Sequence, residues 1–482
     1  MDTLSDKNAN HMLVVDLDGT LIHSDMLFEL GFALPRSGRA AVTSFLKARP
    51  KTRAELKQAL GAFVPFDAAL LPYNEAVIQR IKEWRAGGGR VALVTASDQQ
   101  VADCIADHLG LFDEVHGSDG VNNLKGAAKA EFMTRRYGAG QFDYIGDAAA
   151  DYENWQAAKR ALVAHHSPRF LEKVRRLKTD AEQVDDGHQA GVEPYIKALR
   201  PHQWLKNLLI FLPLLAAHRF GFGDWLLGII AFCAFNAVAS AIYIFNDLVD
   251  LNADRAHIRK RKRPFASGRV PIAHGVIMSA LLLLSGLVLS FSFEGYSFIM
   301  VMVGYIILTT AYSLYLKKKL MIDVCVLATL YAVRVVAGGA ATGIELSFYL
   351  LAFCIFLFLS LASIKRQAEL LDSPLTEGEL LPGRAYTPSD MPVFMAMSIV
   401  AGYTAVLVLM LYLNSENVTK LYSAPELLWI ICPIFLYWVS RVVMLTQRGL
   451  MDDDPVIFAV KDRTSYICAG LIFGILTISS LL

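Results

Sequence analysis

Cysteine is sparse and poorly placed for chemistry: the six (Cys104, Cys233, Cys325, Cys354, Cys432 and Cys468) are scattered and form no CxxC pair. That spacing suggests neither a disulfide framework nor a zinc site. The opening stretch "MDTLSDKNANHMLVV" lacks a basic region followed by an apolar run and a cleavage site, so no signal peptide is expected. Net charge is also nearly absent, +1 over 482 residues, so any charged partner must be met by local patterning. No nucleic-acid partner is expected. Hydrophobic residues, by contrast, make up 54% of the chain and are unevenly spread. Residues 1–190 read as a soluble protein, and from about Leu205 long apolar runs alternate with short polar clusters.

Nine of those runs, from about 205–220 to 464–482, approach the length needed to cross a bilayer as a helix. The first is short and interrupted by Pro213. Loops after the even-numbered runs carry seventeen Lys and Arg, and those on the other side carry two, Arg219 and Lys420. This asymmetry predicts a multi-pass membrane protein with its N-terminal half and polar loops in the cytoplasm. The bounds expected are a soluble domain at 1–178, a linker at 179–194 and a transmembrane domain at 195–482. Apolar outer faces also leave room for a homo-oligomer.

The soluble half alternates strands with helical stretches such as 75–86, 98–109 and 126–137, which predicts a parallel α/β sheet. Its chemistry-bearing residues fall at strand ends: "VVDLDGT" with Asp16 and Asp18, "LVTASD" with Thr95, "NNLKGAAK" with Lys125, and "YIGDAAAD" with Asp147 and Asp151. Phosphoryl transfer needs an in-line carboxylate, a proton donor for the leaving oxygen and a cation among crowded negative charges. These four pieces, over residues 11–165, resemble the haloacid dehalogenase superfamily of phosphatases. The resemblance implies Asp16 as nucleophile, Asp18 as general acid/base and Thr95 with Lys125 as phosphate binders. It also implies Mg²⁺ held by Asp147 and Asp151 beside Asp16 and Asp18. Lys129 is open to the role given to Lys125, and residues 22–88 are expected to form a small helical cap.

In the membrane half, "NDLVDLNADRAHIRKRKRP" places Asp247, Asp250 and Asp254 at i, i+3 and i+7, one face of a helix. Asn246 adds an amide oxygen at one edge. Carboxylates so spaced repel one another unless a cation sits among them, and hard oxygen ligands that share a shell with phosphates favour Mg²⁺. The basic tail, with Lys260, Arg261 and Arg263, would meet the same anion's outer oxygens. One Mg²⁺ is therefore expected in each half.

Here the chain resembles the UbiA superfamily of intramembrane transferases, whose members carry NDxxDxxxD at the end of a second helix. A second acidic motif should follow the fourth span. Asp323 is there, but Leu327 stands where prenyl-diphosphate users carry another aspartate. Stretches such as "LRPHQWLKNLLIFLPLLAA", "RKRKRPFASG" and "DDDPVIFAVKDRTS" are similar to the decaprenyl-phosphate phosphoribosyltransferases within that superfamily. That likeness implies transfer of 5-phosphoribose from 5-phosphoribosyl-1-diphosphate to a polyprenyl phosphate. Asp247 and Asp250 would act at the metal-bound leaving group. Lys206, Lys317, Lys365 and Arg366 would position the lipid phosphate, Arg261 and Arg263 the sugar phosphate, and Asp323 a ribose hydroxyl or metal. Arg334, inside the fifth span, is expected to face the bundle interior as a phosphate ligand or the partner of a buried acid. Asp452-Asp453-Asp454 is read as a helix cap or loop feature, and Lys461, Asp462 and Arg463 as an interfacial clamp. The alternative is a prenyltransferase using a prenyl diphosphate and a small acceptor, with an unrelated phosphatase activity.

Overall fold

The computed structural model describes residues 11–481 apart from 120–122, 166, 185–186, 188–190, 374–375, 377, 382 and 452–453. It divides into two compact units, one of Met1–Leu199 with Tyr243–Ser279, the other of Arg200–Ile242 with Ala280–Leu482. The aspartate-rich stretch thus packs with the N-terminal half, a grouping the motif boundaries alone do not suggest.

The N-terminal half is built on a parallel sheet of six strands in the order β3-β2-β1-β4-β5-β6. These are β1 (Met12–Val15), β2 (Arg90–Asp98), β3 (Glu114–Ser118), β4 (Phe142–Gly146), β5 (Ala161–Val163) and β6 (Glu182–Gln183). Apolar runs such as "MLVV" are buried on both faces, as strands covered by helices on each side must be. Leu13, Val15, Leu93 and Ile145 feed one core, and Val14, Ala92, Tyr144 and Trp155 the other. In register, Val15 lies between Leu93 and Ile145. Asp16 therefore emerges at the carboxyl end of the central strand, where strand order reverses and α/β sheets bind ligands. Helices α1 (Met26–Ala33), α2 (Gly38–Ala48) and α3 (Arg53–Phe63) lie in the interval expected to form a cap.

Among the described residues eight helices are long and apolar enough to cross a membrane, from Phe222–Val249 to Arg463–Leu481. The ninth expected span takes another form: a 3-10 helix over Pro201–Phe211 continued by a short α-helix, Leu212–Ala216. A 3-10 helix rises about 2 Å per residue, so this segment still extends roughly 30 Å despite Pro213. Its three-residue period stacks Asn207, Ile210 and Pro213 on one buried face. That face meets Gly338 of helix Ile322–Thr342, where an added Cβ would collide with the Ile210 carbonyl and stand 3.1 Å from Pro213 Cδ. Because the obstacle is backbone, Gly338→Ala is expected to cost about 1–3 kcal/mol. A lowered thermal midpoint and poorer monodispersity in detergent would report it.

Candidate active sites

At the end of β1, the Leu17 amide donates to Asp16 Oδ1 at 2.8 Å, and Lys129 Nζ lies 2.8 Å from the same oxygen. Tyr144 OH, on β4, donates to Asp151 at 2.7 Å and stands 3.4 Å from Asp16 Oδ2. Asp18 accepts from the Met26 amide at 2.8 Å and from Ser97 Oγ at 2.7 Å. Asp147 accepts from Thr20 Oγ1 at 3.1 Å and packs against Gly19, whose φ of 77° and lack of a side chain permit the approach. Burial raises the pKa of Asp16, with Lys129 opposing, and raises Asp147 well above the carboxylate range, helped by Asp151 and Asp16. Burial, with Asp25 nearby, pushes Asp18 up to about 6. The group bordering the nucleophile position is therefore suited to carry a proton.

Asp16, Asp18, Asp147 and Asp151 line a cavity of about 310 Å³ that also takes in Lys125 and Lys129. Of the two lysines left open by the sequence, buried Lys129 holds Asp16 while Lys125 faces the cavity. Thr95 is fully buried and accepts from the Ser97 amide at 3.0 Å; its neighbour Ala96 lines the cavity. Ser97, which sequence reasoning passed over, makes the contact to Asp18; its position in "TASD" at the carboxyl end of β2 was the available signal.

The aspartates of the second motif are not on one helix face. Helix Phe222–Val249 ends before Asp250, which stands immediately before a new short helix, Leu251–Ala256. Asp247 and Asp254, both buried, converge on Arg263 Nη1 at 3.1 and 2.6 Å, whereas Asp250 turns to an ion pair with Arg36. Arg263 is thus a counter-ion of the carboxylates rather than a group held out for a sugar phosphate. Asn246 is half-buried, and Lys260 and Arg261 are exposed on a one-turn helix, Lys260–Lys262. Next to Asp254, buried Arg255 makes a bidentate pair with Glu29 of α1 at 3.0 and 2.6 Å and donates to the Ala266 carbonyl at 2.9 Å. Ser24 Oγ also donates to Glu29.

Among the described residues, no group of three or more His, Cys, Asp or Glu side chains is gathered into a shell that would hold a metal ion unaided. The reason is visible in both places: Lys129 and Arg263 sit against the carboxylates a cation would join. Asp151 in addition spends its oxygens on Tyr144, Asn154 and the Asp147 and Ala148 amides. The donor chemistry still fits Mg²⁺, since the carboxylates of Asp16, Asp18, Asp147 and Asp151 face one cavity and hard oxygen donors favour that ion.

In the other unit, Lys206 and Lys365 converge on Asp454, the latter at 3.3 Å, and Lys206 lies over the Tyr331 ring. Asp454 also caps helix Pro455–Lys461, so the cap reading holds for it, with a bridging role the sequence did not reveal. Asp452 and Asp453 lie outside the described residues. Burial raises the Asp454 pKa, but the two lysines more than offset this and hold it down to about 2, from an ordinary value of 3.8. A depressed carboxylate stabilises above its unfolded pKa and loses that contribution as pH falls through the folded one. Asp454→Asn is therefore expected to cost roughly 2 kcal/mol at neutral pH. The gap in thermal midpoint between the two proteins should close between about pH 4 and pH 2.

Asp323 and Arg366 lie deeper than their expected roles require. Both are fully buried and paired at 2.8 Å, with Arg384 and Tyr312 each 2.9 Å from Asp323 and Glu369 on Arg366. They form an internal network instead of reaching for substrate. Arg334 is buried as expected, but its partners are neutral: Asn207 at 2.6 Å, the Leu330 carbonyl and the rings of Phe235, Tyr305 and Tyr331. Lys317 is half-buried in a turn, Leu316–Lys318. Asp462 receives both Arg441 nitrogens at 2.8 and 3.0 Å and caps the last helix through Ser465.

An α/β domain with aspartates at its strand ends, covalently continuous with a bundle of membrane-length helices rich in buried charge, defines a two-domain multi-pass membrane enzyme. Known families agree: the model of the UbiA prenyltransferase family matches residues 207–449, and that of haloacid dehalogenase-like hydrolases matches residues 13–153. The chain belongs to the UbiA prenyltransferase family and carries an N-terminal haloacid dehalogenase-like hydrolase domain. It is 35% identical to the uncharacterized protein y4nM of Sinorhizobium fredii over 95% of this chain and 89% of that one. It is 36% identical to nodulation protein NoeC of Azorhizobium caulinodans, over 58% of this chain and 92% of the relative. Decaprenyl-phosphate phosphoribosyltransferase of Mycolicibacterium smegmatis is 39% identical over 37% of this chain and 58% of its own length.

Proposed function

We propose that the membrane domain transfers 5-phosphoribose from 5-phosphoribosyl-1-diphosphate to a polyprenyl phosphate, and that the hydrolase domain then removes the 5-phosphate. The observation that carries this reading is the state of the second acidic position. Asp323 is locked by Arg366, Arg384 and Tyr312, and Leu327 takes the place of a second carboxylate. One acidic pair, Asp247 with Asp254, is left to hold a metal-bound diphosphate. This suits a reaction whose diphosphate sits on the sugar and whose other substrate is a simple phosphate. The similarity to the Mycolicibacterium smegmatis phosphoribosyltransferase supports the same choice.

In the transfer, a lipid phosphate oxygen bonds to ribose C1 as the C1–O bond to diphosphate breaks, and diphosphate departs with the electron pair. The nucleophile is already anionic, so no strong base is required. Lys206 and Lys365 position it while Asp454 keeps them from neutralising it. In the second reaction an Asp16 oxygen bonds to the 5-phosphorus, the P–O5 bond breaks, and Asp18 gives its proton to the leaving oxygen. Water then attacks the phosphoaspartate, returning its proton to Asp18 and releasing phosphate. Mg²⁺, when bound, offsets the negative charge gathered at each phosphate. The reading places the hydrolase domain and the basic loops in the cytoplasm of a bacterial-type inner membrane.

The test uses purified protein in detergent with Mg²⁺, a short polyprenyl phosphate and ribose-labelled 5-phosphoribosyl-1-diphosphate, with lipid products weighed by mass spectrometry. Label in lipid, at the mass of polyprenyl-phosphoryl-ribose, is the expected result. Consumption of a prenyl diphosphate with an aromatic acceptor, and no label in lipid, would favour the prenyltransferase alternative.

A further inference from the structure

Four cations, Lys125, Lys129, Arg53 and Lys57, line the hydrolase cavity among the aspartates. Lys129 is committed to Asp16 and Lys125 lines the same space. Two further cations come from the cap helix α3. Arg53 opens that helix and Lys57 follows one turn later, so i, i+4 geometry puts both on one face, and both line the cavity. Lys57 is half-buried and anchored by a 2.7 Å hydrogen bond to the Ala96 carbonyl, while Arg53 is exposed. Burial lowers the Lys57 pKa and the nearby Asp18 and Asp25 raise it.

The wall supplied by the other segment of this unit is different. Pro271, Ile272 and Ala273 line the cavity, and Ile272 begins the membrane-length helix Ile272–Ser290. One space therefore offers a nucleophilic carboxylate, a cationic pair that neither Asp16 nor Asp147 uses, and an apolar rim that continues as a membrane helix. A small phosphomonoester engages only the first of these.

We infer that Arg53 and Lys57 form a subsite for a second anion on the hydrolase's substrate, a phosphodiester that joins the phosphorylated alcohol to a lipid. The inference rests on the proposed dephosphorylation and specifies what the enzyme recognises besides the phosphate it removes. The subsite makes the hydrolase selective for phosphorylated sugars already attached to lipid, and spares free sugar phosphates of the same ring.

Two soluble probes separate these possibilities: ribose 5-phosphate, and ribose 5-phosphate carrying a methyl phosphodiester at C1. Phosphate release by the full-length protein with Mg²⁺ is measured for each, with the rate from Asp16→Asn protein subtracted as background. The diester-bearing probe is expected to have the higher kcat/KM by about tenfold or more, through a lower KM, as one or two charge-assisted contacts would give. Arg53→Gln should shrink that ratio, and Arg53→Gln with Lys57→Gln should bring it near one. A ratio of one in the unaltered protein, or a ratio the substitutions leave unchanged, overturns the subsite. Equal cleavage of both probes would leave the proposed dephosphorylation intact. Cleavage of neither, with p-nitrophenyl phosphate still hydrolysed, would remove both readings.

Discussion

Protein carrying Asp16→Asn is expected to accumulate lipid-linked phosphoribose that keeps its 5-phosphate, with phosphate release down by at least about a thousandfold. An amide cannot form the acyl phosphate. Two neighbouring acids are already engaged: Asp18 is held by Met26 and Ser97, and Asp151 by Tyr144 and Asn154. Labelled ribose should still enter the lipid, because the proposed transfer does not involve Asp16. Mass spectrometry of the extracted lipid reads both halves of the prediction at once, as a product heavier by one phosphate. Unchanged product composition would sever the coupling between the domains. Stability should move little, since losing the Lys129 ion pair is offset by relief of repulsion among Asp16, Asp147 and Asp151. A thermal midpoint close to that of the unaltered protein would confirm that the defect is chemical.

The second large effect falls on transfer itself. Asp247→Ala should lower incorporation of label into lipid by at least about a hundredfold, with phosphate release from soluble esters retained. Asp247 and Asp254 share Arg263, and a metal-bound diphosphate must take that guanidinium's place or lie beside it. With Asp247 gone, Arg263 keeps Asp254, so the loop should retain its shape while losing half of its carboxylate pair. A readout independent of turnover is available. Mg²⁺ with 5-phosphoribosyl-1-diphosphate should raise the thermal midpoint of the unaltered protein and fail to raise that of the variant. Equal protection of both proteins would place the diphosphate elsewhere.

The strand-end aspartates were legible because an apolar run followed by Asp, Gly and Thr is a local signal, and the sheet carries each such run to the same edge. Helices 75–86 and 126–137 were legible for a similar reason, and the structure has them at Glu75–Ala86 and Ala127–Tyr137. The helix break at Asp250 was not, since neither proline nor glycine marks it and the spacing 247, 250, 254 is compatible with an unbroken helix. The choice between Lys125 and Lys129 depended on where the helix begins, which Gly126 with its φ of 56° decides. Asp454 joins Lys206 across 248 residues, and Glu29 joins Arg255 across 226, distances at which local pattern carries no information. Arg366 was misread because a basic residue at the end of an apolar run looks the same whether it meets solvent or an acid on a neighbouring helix.

The Glu29–Arg255 pair bears on how this chain can be divided. A fragment ending before Tyr243 would keep every phosphatase motif, and by its sequence would pass for a complete soluble enzyme. It would also leave Glu29 and Ser24 without the guanidinium that covers them, and strip the Pro271–Ala273 rim from the catalytic cavity. Dissection at the apparent linker would thus yield a hydrolase with an altered mouth, and its preferences would describe the cut rather than the enzyme.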